Sequence, residues 1–389
     1  MADSNRLHSI NTSRILRTIW LNPSISRIKV AEMLDLDRST VTKIMQVIMD
    51  RGLVVTTGKN TEQSGVGRRQ INLEINQDIG VVVGIELQDS RHSVVVTTIA
   101  GDVIHSFEGV SHGRRDGLGG IILSIVDEAR RFIDASGLFL LGVGVGIPGI
   151  VDPYTGTVIR SNPFKILEPA CLREEVELGC DVPVFIENDA NCCCWAEIAF
   201  QREGRERNFI SVLGEFRDLH RGTDKGTGLA IGLGLVVRNR VLHGDHFTAG
   251  EFRSVLAGKA PRQFKIPYEE LSTLPENRPL LRRVYRELTE NLAFLVNCVD
   301  FTKIVFAGDL AQYPENLKEC MEQAIVGNWI YDLDRTFVIE FSKYGKQSVS
   351  IGAAGLFVEK LFAVPDIADR FQEVVGYDLY EQILGRKGR

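Results

Sequence analysis

The stretch VFIENDANCCCWAE, residues 184–197, sets three adjacent cysteines behind an Asn–Asp pair. Such residues could serve a metal, a redox couple or a nucleophile. None of the seven cysteines (Cys171, Cys180, Cys192, Cys193, Cys194, Cys298 and Cys320) forms a C-x-x-C pair, the unit of structural zinc and dithiol sites. Adjacent side chains on a helix point about 100° apart, so Cys192, Cys193 and Cys194 do not converge on one ion. They read as small buried hydrophobes. Asn188 and Asp189 are residue types that cap helices. His243, Asp245 and His246 form a second polar cluster, whose spacing fits no metal motif and reads as hydrated or hydrogen-bonded.

A third set lies near the start of the chain. Arg38, Ser39, Thr40, Thr42, Lys43 and Gln46 fall on the polar face of RSTVTKIMQVIMDRG, whose Val41, Ile44, Ile48 and Met49 face the other way. Cations, hydroxyls and an amide on one helix face can bond phosphates and base edges. Two helices should precede it. NTSRILRTIWLN carries Ile15, Leu16, Ile19 and Trp20 on one side, with Asn11 or Thr12 as a cap and Pro23 as the stop; Ser26 opens RIKVAEMLDL. Asp37 or Ser39 can cap the third helix, and Gly52 suits its end. LVVTTGKNTEQSGVGRRQINLEI then reads as a hairpin with a basic tip of Lys59, Arg68 and Arg69. This is a winged helix-turn-helix pattern over 1–77, and a basic hairpin beside a recognition helix suits a DNA backbone or minor groove.

Charge supports that division. Residues 1–77 hold 11 Lys+Arg and 7 Asp+Glu, a net +4; the remaining 34 and 44 give −10. A basic head on an acidic body points the head, not the body, at a polyanion. The chain has 389 residues, 44% hydrophobic and 25% charged, a soluble globular profile. There is no uncharged apolar run of membrane-spanning length and no signal peptide, so a cytoplasmic location with reduced cysteines and no membrane insertion is expected.

The body, 78–389, reads as a duplicated α/β unit with a cleft between two lobes, about 78–195 and 196–389. VVVGIELQ, SVVVTTIA and DVIHSFE are strand segments before a helix, LGGIILSIVDEARRFIDAS. NFISVLGEF, TGLAIGLGLVV and RVLHG repeat the rhythm before RPLLRRVYRELTENLAFLVNCVD. TKIVFAGDL is a late strand and SVSIGAAGLFVEKLF a late helix. The tail, from Asp366 on, has an amphipathic pattern that could pack on the body, join an oligomer contact or fray.

Six stretches in order, 142-GVGVGIPGIVD-152, 161-SNP-163, 186-IENDAN-191, 227-TGLAIGLGL-235, 249-AGE-251 and 352-GAAG-355, together with the head, resemble the ROK family (repressors, open reading frames and sugar kinases), in its transcriptional-repressor branch. The resemblance covers essentially the whole chain. It implies an actin-like (ribonuclease H-like), two-lobed sugar-kinase-type body behind the winged helix-turn-helix. It also implies that Asn188 and Asp189 contact sugar hydroxyls, the matching Asp being the general base in kinase members, and that Gly149, Asn162 and Glu251 match further sugar-contacting positions. A sugar is read by amides and carboxylates at fixed positions.

Two departures matter. The family's kinases open the body with an acidic-x-Gly-Gly-Thr phosphate loop; here Glu86-Leu87-Gln88-Asp89-Ser90 stands there. Both glycines are gone and Asp89 adds negative charge, which opposes ATP. The glycines of 228–234 then read as tight strand packing. Many members also hold zinc with a His after the Gly-Glu and a Cys-rich loop. Ser254 occupies that His position, and the loop VLAGKAPRQFKIPYEEL has no cysteine. Family members use that His on a sugar hydroxyl too. The expectation is therefore no catalysis, no ATP and no zinc. The chain is expected to be a homodimeric or homotetrameric repressor of carbohydrate uptake or catabolism genes, bound to double-stranded operator DNA and controlled by a sugar or sugar phosphate. The alternatives are control by a protein such as a sugar-transport component, or an active sugar kinase.

Overall fold

The computed structural model describes residues 2–59, 71–111, 117–200, 208–216, 228–259, 262–333, 335–366 and 373–387. In the head, α1 (Ala2–Leu21) leads to the short β1 (Ile25–Ser26), α2 (Arg27–Leu34) and α3 (Arg38–Asp50). The hairpin β2 (Val54–Lys59) and β3 (Ile71–Ile75) pairs antiparallel, and β1 adds to it through Ile25–Leu73. Ser26 caps α2 by accepting from Lys29 N. Asp37 holds the N-cap position of α3 without a side-chain cap bond. Gly52 takes φ +71° just past α3, where a glycine ends a helix without strain.

The first helix begins well before its expected cap. Asn11 and Thr12 lie inside α1, and Thr12 donates to His8 O at 2.8 Å. The polar residues of this first half are drawn into helix by contacts with the far end of the chain. Ser9 donates to Asp378 (2.6 Å), and Ser13 Oγ accepts from Tyr377 N (2.9 Å).

The body contains two sheets of like topology. The first takes β4 (Val81–Leu87), β5 (Arg91–Thr98) and β6 (Val103–Val110), then α4 (Gly117–Ala135) and β7 (Leu140–Ile147). A small sheet of β8 (Ile150–Asp152), β9 (Thr157–Arg160) and β10 (Ala170–Cys171) follows, then α5 (Leu172–Cys180), β11 (Val184–Asn188) and α6 (Asp189–Phe200). The second takes β12 (Asn208–Phe216), β13 (Leu229–Val237) and β14 (Arg240–Val241), then α7 (Tyr268–Leu271), α8 (Arg278–Val299), β15 (Lys303–Gly308), α9 (Leu317–Gly327) and β16 (Val338–Phe341). Strand orders are β11-β7-β4-β5-β6 and β14-β13-β12-β15-β16. In each, an antiparallel meander is followed by two parallel additions at its first strand. The inner parallel strands β7 and β15 are buried along their whole length and almost wholly apolar, as strands covered on both faces must be.

α10 (Ser348–Leu361) returns to the first sheet, and α11 (Tyr377–Lys387) closes the described chain. Ile351, Ala354, Phe357 and Leu361 of α10 share one core with Val82, Val95, Leu141 and Phe185 of the first sheet. The last helices therefore build on the first lobe although they come last in the chain.

α6 and α10 cross between the lobes, and here the cysteines find their use. Cys192, Cys193 and Cys194 are buried, and burial pushes each thiol pKa well up. A Cβ on Gly352 would stand 1.7 Å from Cys192 O, so only glycine lets the two helices meet. The close crossing demands small side chains on both helices; the cysteines are packing, not chemistry.

Candidate functional site: a ligand cleft and a nucleic-acid interface

On α3, Arg38, Ser39, Thr42, Lys43 and Gln46 are exposed and Thr40 is half-buried, while Val41, Ile44, Met45 and Ile48 are buried. Some of this face is internally engaged. Thr42 donates to Arg38 O (2.7 Å), and Gln46 donates to Asp50 (2.6 Å). Arg68 and Arg69, at the hairpin tip, lie outside the described residues.

The cleft residues gather where β11 runs into α6. Asn188 ends β11 and Asp189 begins α6. Asn188 Oδ1 accepts from Ala190 N (2.9 Å) and Asn191 N (3.2 Å), the geometry of an N-cap. Its Nδ2 donates to Gly149 O at 2.9 Å. Asp189 Oδ1 accepts from Ala190 N at 2.8 Å. Gly149 has φ +134°, and a Cβ there would sit 2.4 Å from Arg160 O, so the backbone needs glycine for conformation and space alike. Ser161 is buried and donates to Pro148 O (2.6 Å), tying down the turn that exposes Asn162. Glu251 is exposed and bridges to Gly232 of β13; a Cβ on Gly232 would meet Ala190 at 2.9 Å. Asn188 and Gly149 are thus brought into contact. Asn162 and Glu251 approach through their backbone neighbours.

The centre of the site is a residue the sequence reading passed over. Glu187 is fully buried and holds four donors. Its Oε1 accepts from Asn188 N (2.8 Å) and Asn191 Nδ2 (3.1 Å); its Oε2 accepts from Trp195 Nε1 (3.3 Å) and bonds His243 Nε2 (2.8 Å). Burial alone would raise the carboxyl pKa, but His243 and the hydrogen bonds outweigh it and the net shift is down. For His243, burial alone would lower the pKa, and Glu187 outweighs it, so the net shift is up. Both partners favour their charged forms. The bond joins β11 of the first lobe to the loop after β14 of the second. His243 thereby parts company with Asp245 and His246, which are exposed. Its partner lies 56 residues away, and no local pattern signals it.

At the β4–β5 turn, Gln88 donates to Glu86 (2.6 Å) and also to Glu215 of β12. Burial, then the facing Glu215 carboxylate, push Glu86 well up. Ser254 is buried; its hydroxyl accepts from Leu256 N (3.1 Å) and Asn291 Nδ2 (3.2 Å). A zinc ion does not fit this donor set, since Ser254 brings a hydroxyl already bonded twice and the following loop brings no thiol. Among the described residues no group of three or more His, Cys, Asp or Glu could hold a metal ion. No described helix is long and apolar enough to cross a membrane.

A winged helix-turn-helix on a duplicated, two-lobed α/β body is the class these elements define. Residues 9–55 match the winged helix-turn-helix DNA-binding profile, and residues 84–263 match the ROK family. Residues 84–263 are thus a ROK family domain, set behind a winged helix-turn-helix match. It is 26% identical over 253 residues to the xylose repressor of Caldicellulosiruptor bescii, a match covering 64% of this chain and 59% of the repressor. The chain thus spans about three fifths of that relative's length. Among solved structures it resembles a ROK family transcriptional regulator described as a homologue of the E. coli MLC protein, with TM-score 0.75, 19% identity and coverage of 98% and 100%. A ROK family glucokinase from Streptomyces griseus, solved with glucose and AMPPNP, gives TM-score 0.56 at 19% identity over 71% of this chain and 99% of that one. At these identities the solved structures speak for the fold.

Proposed function

We propose that this protein is a DNA-binding transcriptional regulator, a cytoplasmic repressor of carbohydrate uptake or catabolism genes, acting as a homo-oligomer on operator DNA. The observation that carries the reading is the exposed face of α3, with Arg38, Ser39, Thr42 and Lys43 turned outward beside a β-hairpin, in a chain whose relatives include several xylose repressors. Twofold pairing of bodies would set two heads over a palindromic operator. Arg68 and Arg69 would add phosphate contacts.

The ligand is a sugar or sugar phosphate, held by Asn188, Asp189, Gly149, Asn162 and Glu251. It would act by binding one lobe arrangement better than the other. The body is not expected to phosphorylate it. Gln88 fills the turn where a kinase bends glycine backbone round phosphates, and its amide donates to the carboxyl groups of Glu86 and Glu215. No zinc is expected.

The test is fluorescence anisotropy on operator duplexes selected from a random pool, at fixed salt because phosphate contacts make affinity steeply salt-dependent. Xylose, glucose and their phosphates are titrated in. Specific binding released by one sugar supports the whole reading. Specific binding indifferent to every sugar supports the head and refutes the effector. No specific binding refutes the head, and a kinase assay with Asp189→Asn as control then decides the enzyme reading.

A further inference from the structure

Residues 373–387, which end in α11, touch the end of the recognition helix through Arg51 and the cleft side through Glu373. At the head, the Arg51 guanidinium, at the C-cap of α3, lies 5.4 Å over the Tyr377 ring and pairs with Glu381. Tyr377 N and Asp378 bond Ser13 and Ser9 of α1. Leu379, Tyr380 and Ile383 are buried in one cluster with Ile15, Leu16, Ile19 and Trp20 of α1. Trp20 itself stacks on Phe362, just past α10, at 4.7 Å.

The cleft end is ionic. Glu373, with its side chain 8% exposed, pairs with Lys360 of α10 and lies 3.9 Å from Arg173 of α5. Arg173 donates to Pro153 O (2.9 Å) and Tyr154 O (2.7 Å). Lys360 Nζ stands 5.8 Å from both the Tyr154 and Phe185 rings. Tyr154 in turn meets His243 (6.0 Å) and Phe247 (6.2 Å) on the loop of the second lobe. That loop is the one bonded to Glu187, beside Asn188.

We infer that residues 373–387 form a strap through which the position of the second lobe reaches the recognition helix. Two physical features make it responsive. An 11-residue helix is below the length that holds itself in water, so α11 exists by its docking. A buried ion cluster tolerates partial disassembly badly, because one unpaired charge left inside costs more than the pair contributes. Withdrawal of His243 and Phe247 from Tyr154 opens the Lys360–Glu373–Arg173 cluster to water and frees the strap at its cleft end. Arg51 then loses its support at the head end.

The inference rests on the proposed function only for its consequence at DNA, so its main test needs none. Hydrogen–deuterium exchange is followed by mass spectrometry on the full chain carrying Glu373→Gln. The expected result is roughly tenfold faster exchange in α11, in residues 13–21 of α1 and in the last turn of α3, with β12 and β15 unchanged. Faster exchange confined to α11 would overturn the strap as a coupler. If Glu373→Gln does not fold, Tyr154→Leu, which spares every ion pair, is read the same way. A second arm reverses charges: Glu381→Arg and Arg51→Glu singly should speed exchange in α3, and the double variant should restore it. No restoration would overturn the head-end contact. Should the coupling hold while no duplex is bound, the strap stands and the DNA reading falls.

Discussion

The polar face of α3 and the polar floor of the cleft use similar side chains in opposite ways. On α3 the cations stand in solvent, and only Thr42 and Gln46 are tied back to their own helix. In the cleft, Asn188 N, Asn191 Nδ2, Trp195 Nε1 and His243 Nε2 all bond Glu187, which is inaccessible to solvent. The first surface suits a polyanion, whose affinity comes from many exposed charges. The second suits a small ligand that must be placed by atoms already held in position. A substitution on α3 should therefore cost binding and spare stability, and one at the cleft floor should cost stability first.

The largest expected effect follows from Glu187→Ala. It removes the common acceptor of four groups and strands a buried imidazole, which should cost about 3–5 kcal/mol of stability. Urea unfolding followed by circular dichroism checks it; a loss under about 1 kcal/mol would mean the network is dispensable. Next comes the opposite surface. Arg38→Ala and Lys43→Ala should leave the unfolding midpoint unchanged while each weakens duplex binding by about 1–2 kcal/mol and lowers the salt slope by about one. Equal loss of stability in these variants would erase the contrast between the two regions.

The two regions were also unequally legible. The face of α3 could be read because helical periodicity places exposed residues without knowledge of anything distant. The apolar strand segments of both sheets were legible for the same reason. α1 was legible only from Asn11 onward; its earlier turns pack against the other end of the chain, where Ser9 donates to Asp378. Cys192–Cys194 could be read as buried hydrophobes, but how tightly they are held depends on distant glycines: a Cβ on Gly234 would stand 2.3 Å from Cys194 Sγ and one on Gly146 3.0 Å from Cys192 Sγ. His243 and Glu187 were out of reach because a pair between lobes has no local signature. Asn188 was read both as a cap and as a sugar contact; the cap is seen, and the contact awaits a ligand.

A smaller effect should appear at Glu86. Its folded pKa stands above the ordinary 4.5 because of burial and of Glu215. The folded state therefore holds its proton at a pH where the unfolded chain has released it, and stability falls as pH rises above the unfolded value. Glu86→Gln removes this loss. The variant should gain about 1 kcal/mol relative to wild type at pH 8 and little at pH 4.5. A gain equal at both values would place the cause in packing instead of ionisation.

The finest distinction concerns the pH range over which the lobes are tied. His243 has a folded pKa above its ordinary 6.5, so its contribution is complete below 6.5 and fades as pH rises through the folded value. Glu187 has a folded pKa below its ordinary 4.5, so its contribution is complete above 4.5 and is lost as pH falls through the folded value. The pair is therefore fully formed between those ordinary values and weakens on both sides. Lys360 works against the imidazolium and Glu373 supports it, so Glu373→Gln should bring the alkaline decline to lower pH. NMR titration of His243 in wild type and Glu373→Gln reads the shift directly. His243→Gln, which keeps a donor toward Glu187 but cannot ionise, should flatten the alkaline limb of stability and leave the acid limb in place. An unchanged alkaline limb in that variant would show that the lobes are tied by something other than this ion pair.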